Sequence, residues 1–175
     1  MDRPESVPVW DPVVRTLHWS LAAIVVVDYW ATDPGSSLHN WLGYAAMAIV
    51  AVRLVWGFAG RGYARFSSFT PSRTRFREHW AALRSRAVPA ESGHNPLGAL
   101  MIYAVMVLVT ALAVTGFLHE EIDALFGNAF LQDVHELAAH ALWICAIVHV
   151  LSVFAVQYYG RVELVRPMIT GRRRR

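Results

Sequence analysis

A chain of 175 residues is one domain by length, but 55% of it is apolar, seven residues are tryptophan and only 17% is charged. That balance excludes an ordinary water-soluble globule and makes the lipid bilayer the first expected partner. The formal net charge is +3, and every one of the 16 strongly basic residues is arginine.

Taken in chain order, Asp11 followed by Pro12 reads as an N-cap and first helical residue, opening an apolar run over about 12–31. This run lacks a basic flank followed by a small-residue cleavage site, so it reads as a span kept in the mature protein rather than as a signal peptide. A second run covers about 37–57 and is closed by Gly57, Gly60 and Gly62, with "GYARFSSFTPS" (Gly62 to Ser72) as a turn-rich exit. Over about 72–86, Phe76, Trp80 and Leu83 share a face opposite several arginines, which predicts an interfacial helix. Asn95 and Pro96 repeat the cap pattern and open a third run over about 96–118. Asp133 with Glu136 forms a capping-box-like start for a fourth, about 134–158. Each run is near the ~20 residues that span a bilayer as a helix. The expected fold is an all-α integral membrane four-helix bundle, one transmembrane domain over 1–175.

Arginine sets the orientation. With two hairpins, all 16 arginines fall on one side: the N-terminus, the long loop between the second and third spans, and the C-terminal tail. By the positive-inside rule that side is cytoplasmic and holds both termini. The opposite loops carry no basic residue but seven acids: Asp28, Asp33, Glu120, Glu121, Asp123, Asp133 and Glu136. The terminal "GRRRR" reads as a topology anchor beside a last span, not as a nucleic-acid contact.

The chemistry lies in histidine. "VHELAAHALWICAIVHV" (Val134 to Val150) places His135 and His149 in an apolar helix. Fourteen residues separate them, so they differ by about 40° in direction and ~21 Å in depth. His39 opens the second span at nearly the depth of His135, and His18 lies about two turns into the first, near the depth of His149. An imidazole pair at each of two depths in a helical bundle is what two six-coordinate haems need. Any one of these histidines alone reads better as a buried group satisfied by carbonyls or lining a proton path; four that match in face and depth favour haem.

The surroundings are less specific. Ala138, Ala139, Leu142, Cys145 and Ala146 lie between the two histidines, and Gly43 follows His39 by one turn, leaving room for a flat macrocycle or for ordinary close packing. Arg15, one turn below His18, and Arg53, on the face of His39 near the inner boundary, either pair with inner-haem propionates or anchor the chain. Gly98 and Gly116 share a face of the third span. His140 points away from His135, and His79 belongs to the surface helix; both read as structural. His94 and His119 sit at membrane boundaries where a hydrated imidazole is ordinary. "HEEID" (His119 to Asp123) is a weak metal signal, Cys145 an inert small hydrophobe, and Asp28 a solvated helix end or a handler of a proton or quinone hydroxyl.

"WDPVVRTLHW" (Trp10 to Trp19), "LHNWLGYAAMAIVAVRLVWGFAG" (Leu38 to Gly60), "HNPLGALM" (His94 to Met101), the "TGF" of Thr115 to Phe117, "HELAAHALWICAIVHV" and "LVRPMITGRRR" together resemble the bacterial cytochrome b561 and nickel-iron hydrogenase b-type cytochrome family. The resemblance covers nearly the whole chain. It implies four transmembrane helices carrying two b haems, with ligands matching His18, His39, His135 and His149, and a place in the bacterial inner membrane.

Two bis-His haems leave no open iron position, which favours one-electron relay over oxygen chemistry. The first expectation is therefore transmembrane electron transfer between the quinone pool, with a quinone bound at the protein, or a cytoplasmic partner and a periplasmic redox protein. That protein would be a c-type cytochrome or a dehydrogenase or hydrogenase subunit; a homodimer is compatible. The alternative is a stand-alone oxidase of superoxide that reduces quinone, which the acidic outer face disfavours because superoxide is an anion. A haem-free, proton-coupled membrane protein is the third.

Overall fold

The computed structural model describes residues 6–89 and 93–174; Arg175, last of the terminal arginines, lies outside them. Local capping explains where most helices start. Asp11 opens α1 (Pro12–Ala31), its Oδ1 accepting from the Val14 amide at 2.9 Å. A turn through Ser36 leads into α2 (Ser37–Ala59), and after two short 3-10 turns Ser72 caps α3 (Arg73–Arg84) by accepting from the Arg75 amide at 3.2 Å. Asn95 caps α4 (Pro96–Glu121), accepting from the Gly98 amide at 2.6 Å.

The next helix begins earlier than the sequence suggests. Gly127, at φ 70°, turns the chain so that Asn128 Oδ1 accepts from the Leu131 amide at 3.1 Å, and α5 runs over Ala129–Gly160. The expected Asp133–Glu136 start is therefore corrected: Asn128 is the cap, and His135 sits well inside the helix rather than at its first turn. A short α6 (Val165–Thr170) follows and ends on Gly171, whose φ of 80° is the left-handed helix cap that glycine adopts at least cost.

Among the described residues, α2, α4 and α5 are long and apolar enough to cross a membrane. The first helix has the expected bounds, but Arg15, His18 and Asp28 dilute its apolar character. Phe58, Phe130, Leu137 and Leu151 turn most of their surface outward, an arrangement that lipid tolerates and water does not.

Contacts divide the chain into two compact units. One comprises Leu17–Leu54 and Tyr103–Ala146. Its core is Ala46, Val50, Val109 and Leu142, with Leu21, Ile24 and Val105 packed around it. Tyr29 stacks on Trp143 with ring centres 4.7 Å apart and planes within 6°.

The other comprises Met1–Thr16, Val55–Ile102 and Ile147–Arg175. Here β1 (Ser6–Pro8) pairs antiparallel with β2 (Arg172–Arg174), Val7 opposite Arg173. The terminal arginines are thus built into the structure: Arg173 is 1% exposed and donates from Nε to the Glu163 carbonyl at 2.7 Å. A methyl at Gly57 would clash with the Phe66 ring, which holds the exit from α2 against its own loop. His94, expected as a hydrated boundary residue, instead lies between Trp10 and Phe69, with ring centres 4.3 and 4.4 Å away. On α3 the inward residues are Phe76, His79 and Leu83, whereas Trp80 is exposed beneath the Arg84 guanidinium at 5.5 Å.

Two outcomes follow. Asp11 caps α1 and also accepts from Trp56 Nε1 at 3.1 Å, so Asp11→Ala should cost about 1–2 kcal/mol, read as a lower thermal midpoint in detergent. His79 Nε2 is buried with no hydrogen-bond partner among the described residues, and burial pushes its pKa below the usual 6.5. The unfolded chain then takes up the proton first as pH falls through 6.5, so stability drops with acidification over that range and levels off below the folded pKa. His79→Gln should flatten that part of the curve of thermal midpoint against pH.

Candidate functional site

A cavity of about 830 Å³ opens within the unit formed by residues 17–54 and 103–146, between α1, α2, α4 and α5. Asp28, His39, Gly43, Thr115, Gly116 and His135 contribute to its wall. Its size lies in the range of small-molecule and cofactor sites. Apolar atoms make up most of the wall, and polar side chains, Asp28, His39, Thr115, His119, Glu120 and His135 among them, gather within it.

His39 and His135 face one another across this space, with ring centres 6.0 Å apart and planes inclined by 66°. Each ring already spends one nitrogen on the protein. His39 Nδ1 donates to Asp28 Oδ1 at 2.9 Å. Thr115 Oγ1 donates to the Ala111 carbonyl at 2.7 Å and so accepts from His135 Nδ1 at 2.9 Å. Both rings are thereby held in the tautomer that leaves the Nε2 lone pair for a ligand. Nitrogens about 2 Å from one metal ion, each with its ring centre about 1.1 Å behind, put two imidazole centres about 6 Å apart.

Glycine makes the surrounding space. Nothing lies within 4 Å of where a Cβ on Gly43 would stand, and a Cβ on Gly116 would meet His135 Cε1 at 3.4 Å. At the mouth, His119 bonds Glu120 at 3.1 Å and meets the Gln132 amide at 2.8 Å. His140, which also borders the cavity, donates to the Glu136 carbonyl at 2.9 Å. Among the described residues no three His, Cys, Asp or Glu side chains are placed to hold a bare metal ion. Two opposed imidazoles instead suit a metal whose remaining ligands come from a macrocycle.

Comparison with known proteins decides the family: the model for prokaryotic cytochrome b561 matches residues 9–171. The chain belongs to that family. Membership in the cytochrome b561 family implies haem b, and with its long apolar helices this cytochrome is a multi-pass membrane protein. It is 28% identical to a protein of Azotobacter vinelandii over 210 residues, covering 95% of this chain and 88% of the relative. It is 27% identical to one of Rhizobium leguminosarum bv. viciae (97% and 89% covered) and 26% identical to one of Cupriavidus necator (94% and 86% covered). Each carries the name "Probable Ni/Fe-hydrogenase B-type cytochrome subunit". No solved structure matches this cytochrome.

The residues present fit a haem at the His39–His135 pair: opposed imidazoles, fixed tautomers and a cavity kept open by glycine. Of the other expected ligands, His18 on α1 is half-buried and edge-on to Trp19 at 5.0 Å, and His149 is half-buried on α5. Arg15 donates from Nη1 to the Ile169 carbonyl at 2.6 Å, while its Nε is buried without a hydrogen-bond partner among the described residues. Arg53 has both terminal nitrogens buried.

Asp28 and Thr115 are the site residues that sequence reasoning missed. Asp28 reads there as a solvated helix end or a handler of a proton or quinone hydroxyl, not as a partner of His39, to which its side chain, 24% exposed, is bonded. Thr115 appears only as part of "TGF". The signals available are Asp28 one hairpin before His39 and a hydroxyl beside the glycine that faces His135. Gly116→Val should press on the His135 ring and lower the haem absorbance per purified chain.

Proposed function

We propose that this cytochrome carries electrons across the bacterial inner membrane through two b haems, an outer one held by His39 and His135 and an inner one by His18 and His149. The observation that carries the proposal is the 6.0 Å imidazole pair with both Nδ1 atoms engaged. In this reading the chain is a single four-helix transmembrane domain, α1 being the fourth span, with both termini on the arginine-rich cytoplasmic side. Arg53, and Arg15 through its buried Nε, pair with the inner propionates. Gly43 makes room for the outer macrocycle. When bound, haem supplies reversible one-electron chemistry. The protein's own part would be to hold the ligating imidazoles, exclude water with the apolar part of the wall and offset propionate charge.

The relatives' name favours a partner protein over a stand-alone activity, and a hydrogenase-type subunit is the partner class it suggests. The acidic outer loops would draw in a cationic patch on a periplasmic redox protein and repel superoxide. Electrons then pass between that partner and quinone, or a cytoplasmic protein, at the inner side.

Haem stoichiometry and the dithionite-reduced minus oxidised spectrum of purified protein test this directly. His135→Ala and His149→Ala should each leave about one of two haems per chain, and retention of both in either variant would sink the ligand assignment. Reduction by a quinol analogue and reoxidation by ferricytochrome c, with indifference to superoxide, are the expected exchanges. Rapid reduction by superoxide would make the stand-alone oxidase the better reading.

A further inference from the structure

The outer imidazole pair is asymmetric in a way that its role as a ligand pair does not require. His39 gives its Nδ1 proton to a carboxylate, whereas His135 gives its own to a neutral hydroxyl already committed to Ala111. The carboxylate is itself held: Thr32 Oγ1 lies 3.0 Å from Asp28 Oδ1 and 2.6 Å from the Asp28 carbonyl, so one hydroxyl fixes the side chain to its own helical turn. A hydrogen bond to a charged acceptor is about twice as strong as one between neutral groups. It draws the ring proton away and makes the opposite nitrogen a better donor.

We propose that Asp28 is a positioning residue that gives His39 imidazolate character, while Thr115 leaves His135 an ordinary imidazole, so that the outer haem is biased toward its oxidised state. This rests on the proposed outer pair. The bias follows from charge: ferric iron carries one more positive charge than ferrous iron, so a stronger donor stabilises it more. An outer haem poised in this way gives up its electron more readily than a bis-imidazole centre with two neutral acceptors. Thr32 acts one step further out, by aiming the Asp28 carboxylate.

The experiment is an optical redox titration with low-temperature electron paramagnetic resonance on purified wild type, Asp28→Asn, Asp28→Glu, Thr32→Val and Thr115→Val, with haem counted in each. Asp28→Asn should keep its haem and shift the outer couple toward reduction by tenfold or more in the oxidised-to-reduced ratio at fixed potential, about 59 mV per tenfold for one electron. Its largest g value should move with the loss of imidazolate character. Asp28→Glu should recover part of the shift, and Thr32→Val should show a smaller one of the same sign.

Full haem content with unchanged potential and g values in Asp28→Asn overturns this inference alone. So does a shift in Thr115→Val as large as that in Asp28→Asn. If Asp28→Asn loses its outer haem, Asp28→Glu and Thr32→Val decide, and an unchanged outer potential in both overturns the inference. Unchanged haem content in His135→Ala removes the ligand pair, and this inference with it.

Discussion

An imidazole inside an apolar helix cannot leave its nitrogens to water, and this constraint organises the cavity. Each buried polar atom without a partner costs on the order of 1–3 kcal/mol, so a histidine in such a place needs two satisfied nitrogens. At His39 and His135 the protein satisfies one per ring, through Asp28 and Thr115. The other nitrogen of each ring belongs to a pair whose centres lie 6.0 Å apart, in a cavity that Gly43 and Gly116 also line. The turn after α1, which brings Asp28 beside α2, and the placement of Thr115 one residue before Gly116 on α4 both serve this arrangement.

What the sequence made legible is what is local or periodic. The starts of α1 and α4 were readable because Asp11 and Asn95 cap helices that begin one residue later with proline. The meeting of His39 with His135 was readable because helical rise and rotation convert residue number into depth and direction. The start of α5 was not, because two plausible caps compete there and the left-handed Gly127 favours Asn128. Nor were the partners of the two imidazoles. Asp28 and Thr115 reach them from other helices, and no periodicity along one helix reports a contact between two. His94 was misplaced for the same reason, since the rings that enclose it come from Trp10 and Phe69. The six residues of α6 and the three of β2 are too short to leave a period at all.

The arginines illustrate how composition underdetermines role. By count they mark one side of a membrane. In the fold they diverge: Arg84 lies over an exposed Trp80, Arg15 ties α1 to the carbonyl of Ile169, and Arg173 is buried against the Glu163 carbonyl. A buried guanidinium needs such acceptors, because its planar donors cannot be silenced by losing a proton.

The small ribbon of β1 and β2 carries a topological consequence. Strands that share hydrogen bonds lie on the same side of any bilayer, so the chain between Pro8 and Arg172 must cross it an even number of times. Three crossings by α2, α4 and α5 would leave Val7 and Arg173 on opposite faces, where they could not pair. The four-span reading proposed above meets this parity, with α1, for all its polar residues, as the further crossing, and three residue pairs at the ends of the chain thus bear on the course of everything between them.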